Sequence, residues 1–261
     1  MRGGRFGLVG ALLLAAVGAL AQEKGKDYLV LEDFSGTPVG QLPGDWTWRD
    51  RDDEKPKPYL VEEVEGRRYL AARDTGSSVI LVRQIQWNPQ DYPILTWCWR
   101  VNALPPGGDE RYDGTNDSAA GLYVMFSTNW LAIPVQIKYV WSSTLDEGAS
   151  GRRNRVARPF FVVMEGGEEN LGKWTFEQAD LVADHRRFYG KAPRERTMGL
   201  GILTDANSTH SYAEAFYADL RVWSREAQEK GMIQDYCSCY NEGAEAQTAA
   251  PSNHDLPRAG K

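Results

Sequence analysis

Histidine and cysteine are scarce, with three of each among 261 residues. Three cysteines, Cys98, Cys237 and Cys239, make no disulfide framework of the kind that holds small exported domains together, so the fold is expected to stand on its hydrophobic core. Cys237 and Cys239 read as incidental to that fold, with soft-metal binding or pairing to another chain as the alternatives. The histidines are His185, His210 and His254, and no Gly-x-Ser-x-Gly elbow, His-Glu-x-x-His pair, phosphate-binding glycine loop or dinucleotide fingerprint occurs. Serine–histidine hydrolase chemistry is therefore poorly supported, and His210, near Asp205, is the one general-base candidate.

An excess of positive charge is also missing. Lysine and arginine number 30 against 36 aspartates and glutamates, a balance that argues against nucleic acid or an acidic membrane surface as the partner. The apolar run from Phe6 to Leu20 is shorter than the roughly 20 residues a bilayer span needs. With Arg2 and Arg5 ahead of it and Ala19-Leu20-Ala21 before Gln22, it reads as a signal peptide over residues 1–21. No cysteine follows Ala21, which disfavours a lipoprotein. The mature chain is expected outside the cytoplasm, periplasmic or secreted, with no transmembrane anchor.

What is present is β-sequence. Runs rich in valine, isoleucine, tyrosine and tryptophan alternate with turn residues, from Tyr28–Phe34 through the hairpin Tyr59–Val64 and Arg67–Ala72 to Tyr212–Trp223. Asp74-Thr75-Gly76-Ser77 matches half of an aspartic-protease signature, but it has no second copy and reads as a turn. One good helix is predicted over 180–189, with Asp180 as N-cap, Arg186 and Arg187 at its end and Gly190 to stop it. From Ser224 the composition changes, and past Asn241 periodicity is lost. The organisation predicted is one domain at 22–225 and a tail at 226–261, partly helical and then disordered. The fold class is all-β, an antiparallel sandwich of jelly-roll or lectin-like (galactose-binding-like) type with one short helix, a closed barrel being the alternative.

The central stretch carries the candidate chemistry. Three adjacent strands are predicted from Pro93 to Ser142, and alternation puts Leu95, Trp97, Trp99 and Val101 on the core side of the first and Val135, Ile137, Tyr139 and Trp141 on that of the third. Arg100 and Lys138 then project from the polar face of one sheet, at whose rim the loop between the first two strands gathers Asp109, Glu110, Arg111, Asp113 and Asp117. Arg100, Asp109, Glu110, Arg111, Asp117 and Lys138, with Trp141, form the candidate site for a sugar, a uronic acid or another polar ligand. The same charges equally suit a salt-bridge network that pins the loop. Asp205 and Asn207 lie in a second polar loop; with Asp219 they form a candidate structural calcium site, against the simpler reading of side chains closing turns. No other cofactor is implied.

Several blocks, in order, resemble a bacterial family of exported proteins of unknown function, the domain of unknown function numbered 3047. They are Trp97-Cys98-Trp99-Arg100-Val101, Gly108-Asp109-Glu110-Arg111, Asn116-Asp117-Ser118, Lys138-Tyr139-Val140-Trp141, Leu203-Thr204-Asp205-Ala206-Asn207-Ser208-Thr209 and Ala213-Glu214-Ala215-Phe216. The resemblance implies an exported β-sandwich and brings no assigned activity. Three functions are compatible with it: a non-catalytic binding module, a carbohydrate-active hydrolase or lyase using Asp109, Glu110 or Asp117 as acid or base, and a structural envelope protein.

Overall fold

The computed structural model describes residues 26–49, 52–129, 131, 133–153 and 158–240. The expected signal peptide and the tail past Asn241 lie outside these residues. The strands in chain order are β1 (Tyr28–Glu32), β2 (Tyr59–Val64), β3 (Arg67–Asp74), β4 (Leu81–Arg83), β5 (Ile94–Ala103) and β6 (Ala120–Thr128). There follow β7 (Pro134–Ser142), β8 (Ser150–Arg152), β9 (Phe160–Gly166), β10 (Thr175–Asp180), helix α1 (Leu181–Tyr189), β11 (Gly199–Ile202), β12 (Ala213–Trp223) and helix α2 (Arg225–Glu229).

Two six-stranded sheets face each other as a sandwich of the expected jelly-roll kind. The first has the order β10-β5-β12-β3-β2, with β1 also paired to β12; the second has the order β4-β11-β6-β7-β9-β8. Pairing is antiparallel except between β7 and β9, because the chain leaving β7 runs to the sheet edge as β8 before returning as β9. The inner faces meet in one core, where Trp97 lies 5.5 Å from Tyr139 and Trp99 lies 6.1 Å from Trp141, ring centre to ring centre. These four aromatic rings are wholly buried between the sheets, and burial of such large apolar side chains holds the sheets together.

Local signals worked as the chemistry requires. In α1 the Asp180 carboxylate accepts from the amides of Val182 and Ala183, and Gly190 ends the helix with φ 71°, a conformation that a side chain would strain. In β12 a bulge at Asp219, φ 53°, shifts the inward positions from Ala215 and Tyr217 to Leu220 and Val222. A second, five-residue helix, α2, follows β12 at the start of the segment expected to be partly helical.

The C-terminal segment corrects the sequence reading most. Cys98 on the outer face of β5 is disulfide-bonded to Cys237, with Cα atoms 5.5 Å apart. Cys237 begins a 3-10 turn, Cys237–Tyr240, whose Tyr240 packs with Trp174 and Phe216 over the outer face of the first sheet. Tyr236 is hydrogen-bonded to Thr96 at 2.6 Å. The folded unit therefore extends to Tyr240 rather than ending at Arg225, and Cys237 is a structural partner of Cys98 rather than an incidental neighbour of Cys239.

Candidate functional site

The outer face of the first sheet is partly covered by the segment ending at Tyr240 and keeps a hollow of 260 Å³ beside Arg100, whereas that of the second carries a larger one. Register places Phe161 of β9, Lys138 of β7, Tyr123 of β6, Gly201 of β11 and Val82 of β4 in one row across five strands. Partners in a register share a face, so this row forms a floor with an aromatic ring on each side of one lysine. Over it lies a cleft of 620 Å³, within the range of about 300–1,000 Å³ usual for small-molecule sites. Its far walls are the loop before β6, contributing Glu110, Asp113 and Asn116, the loop after β11, contributing Asp205 and Asn207, and Arg153 and Arg158 beyond β8.

Lys138 is the unusual member. It is 4% exposed, and its side chain leans along the sheet over Gly121, where an added Cβ would stand 2.7 Å from the lysine Cε. This brings Nζ to the Ser118 hydroxyl, to which it donates at 2.8 Å. Ser118 in turn donates to Glu110 Oε1 at 2.7 Å, and Ser142 donates to Oε2 at 2.6 Å. Among the described residues no carboxylate lies within ion-pair distance of Lys138 Nζ, so a nearly buried cation has one hydroxyl as its hydrogen-bond acceptor. The Tyr123 ring centre is 5.5 Å away.

Two buried aspartates set the cleft's upper edge by holding backbone. Asp117 accepts from the Ser208 and Thr209 amides at 3.1 and 2.7 Å and from the Thr209 hydroxyl at 2.7 Å. Asp74, the acid of the Asp-Thr-Gly turn, accepts from the amides of Gly76 and Ser77 and from that of Ala206. Thus fixed, Asp205 is buried and faces Lys138. Burial pushes its carboxyl up to about 6; Lys138 opposes that rise, while the Asp117 charge adds to it. Burial lowers Arg153, which donates to Asp113 at 2.9 Å.

The structure separates residues that alternation had placed together. Arg100 and Lys138 both point away from the core, but from opposite sheets: Arg100 lies over Phe216 on the first, its Nε donating to Asn102 at 2.8 Å. Asp109 and Arg111 form an ion pair at 2.6 Å in the loop, outside the cleft lining, and the arginine holds the Asp109 carboxyl below its ordinary value. Trp141 is wholly buried in the core, donating its indole N–H to the Gly167 carbonyl at 3.1 Å, so no ligand meets it. Asp219 sits on the first sheet in an ion pair with Arg221, apart from Asp205 and Asn207 on the second, and the three do not converge on one ion. Among the described residues no group of three or more histidine, cysteine or acidic side chains is placed to hold a metal. His210 occupies an exposed turn with φ 53° and is not part of the cleft lining.

Glu110, Lys138 and Asp205 are brought together, with Asp117 supporting them. Sequence reasoning missed Tyr123, Phe161 and Arg153. For the first two, the signal was available in the alternation of β6 and β9, once the pairing to β7 was known.

Structural likenesses are distant. The family 11 carbohydrate-binding module of a cellulosomal cellulase of Clostridium thermocellum is 7% identical, covering 76% of this chain and 94% of its own, with a TM-score of 0.41. The xyloglucanase domain of a type three effector from Sinorhizobium fredii, solved with cellobiose, is 10% identical, covering 72% and 98%, with a TM-score of 0.39. No curated protein matches the sequence. Residues 46–221, from Trp46 in the loop after β1 to Arg221 in β12, match the family described as "Protein of unknown function (DUF3047)", and the chain belongs to that family.

Proposed function

We propose that the protein is a non-catalytic binding module of the extracytoplasmic space, holding a carbohydrate or another polar small molecule in the cleft over the second sheet. The observation that carries this reading is Lys138: a buried cation at the floor of a 620 Å³ cleft, donating to a single hydroxyl, with rings beside it. Burying a charge without a matching partner costs several kcal/mol, and a ligand that completes its hydrogen bonds recovers part of that cost. The Cys98–Cys237 disulfide supports an oxidising compartment.

Of the acids that a glycosidase reading needs, Asp117 is committed to backbone amides, Asp109 to Arg111 and Glu110 to two serine hydroxyls. One observation favours a second reading: Asp205 lines the cleft with its carboxyl raised by burial to about 6, which suits a proton donor for hydrolysis or elimination.

The test is thermal melting of the mature chain against a panel of neutral and acidic mono- and oligosaccharides, with product analysis after incubation. A saturable rise in midpoint with no new reducing or unsaturated ends supports binding. Product formation abolished by Asp205→Asn moves the protein to the enzyme reading, and a flat panel sinks the binding reading.

A further inference from the structure

The cleft's own charges identify the part of a ligand that seats deepest. Each other charged group of the lining has a partner: Arg49 is bonded to Asp52, Arg153 and Arg158 flank Asp113, Glu110 accepts from two serines, and Asp205 accepts from the Asn207 amide at 3.4 Å. Lys138 alone donates only to a hydroxyl, and three N–H bonds on Nζ leave two donors beyond Ser118. Its row mates are Tyr123 and Phe161, and the adjoining row adds Gln136 opposite Met125. An ammonium is a point charge rather than a planar fork, suited to one oxygen of an anion. Glu110 and Asp205 also line the cleft, and the repulsion they exert on a dianion is about twice that on a monoanion.

Resting on the binding reading above, we propose that the ligand is a monoanionic, carboxylate-bearing saccharide of the uronate class, its carboxylate on Lys138 Nζ and its sugar ring against Tyr123. Gly121 is part of this specificity. Its lack of a side chain lets the lysine lie flat against the sheet, so that the charge sits at the floor of the cleft rather than in solvent. A neutral sugar offers Nζ hydroxyl oxygens as acceptors but no opposite charge, so it offsets less of the cost of burying the ammonium than a carboxylate does.

The experiment is calorimetric titration of the full mature chain with monomeric galacturonate, its methyl ester, galactose as the neutral sugar, and galactose 6-phosphate. The expected result is saturable binding of the uronate, with the ester and the neutral sugar weaker by roughly tenfold or more. Lys138→Met, which keeps the length and removes the charge, is expected to abolish that preference without lowering the melting temperature. Should that variant not fold, Gly121→Ala, with the lysine kept, is expected to weaken uronate binding selectively. Equal binding of the neutral sugar overturns the carboxylate assignment and leaves the binding module standing. Tighter binding of the phosphate overturns it in favour of a dianion, retention of the preference in Lys138→Met removes the lysine from it, and no binding of any of the four overturns both readings.

Discussion

Lys138 lies where the side chain of residue 121 would be. The space left by Gly121 is bounded by the lysine Cε, 2.7 Å from an added Cβ, and by the Leu203 carbonyl oxygen at 3.1 Å. A methyl there must displace the lysine or spread β6 from the loop after β11. Gly121→Ala is expected to lower stability by about 1–3 kcal/mol in urea unfolding. In combination with Lys138→Ala the loss should shrink, because one of the two obstacles is gone; an additive pair would show that the carbonyl, not the lysine, is the limiting contact.

The disulfide predicts a different kind of loss. Cys98 and Cys237 are 139 residues apart, so the bond closes a very long loop and constrains the unfolded chain strongly. Cys237→Ser is expected to reduce stability by about 2–5 kcal/mol and to expose the segment after α2 to proteolysis. Equal unfolding midpoints with and without reductant would refute this.

Glu177 predicts the pH dependence of stability. Its carboxyl is pushed up to about 8, first by burial and next by Glu165, while the Trp99 indole N–H donates to it at 3.0 Å and opposes the rise. The folded state then keeps a proton that the unfolded chain gives up near its ordinary value of 4.5, so stability falls as pH rises through that window and levels off above about 8. Glu177→Gln retains an oxygen for Trp99 and removes the titration. It is expected to raise stability at pH 8 relative to the parent by on the order of 2 kcal/mol, with little change at pH 4, measured by urea unfolding across pH.

Much of the fold was legible because strand alternation and helix caps are local. The hairpin of β2 and β3, the helix from Asp180 to Gly190 and the inward set of β5 all stand where the residues put them. Alternation separates inside from outside, but it does not say which sheet an outward residue belongs to. That is why Arg100 and Lys138, both read correctly as outward, were joined across two opposite faces. Cys98 had the same limitation: its partner is remote in sequence, and only the return of the chain after β12 brings Cys237 to it. The bulge at Asp219 resets the inward parity of β12 midway and hides that strand's second half from a period-two reading.

Asp205 predicts how ligand binding responds to pH. The groups that face it are Lys138 from β7, Asp117 and the backbone of its own loop, the Ser78 hydroxyl from the β3–β4 connection and Arg153 beyond β8, with Glu110 further off across Ser118. With its carboxyl raised to about 6, Asp205 is mostly protonated at pH 5 and charged at pH 7. Each step upward places a negative charge beside the lysine that an anionic ligand would use. Uronate affinity is therefore expected to fall several-fold between about pH 5 and 7, the direction opposite to that for a site whose cation alone titrates. Asp205→Asn should flatten the profile near its acidic limit, since the amide stays neutral throughout. Calorimetric affinities at three pH values for parent and variant decide it, and a parallel decline in both would assign the effect to another group.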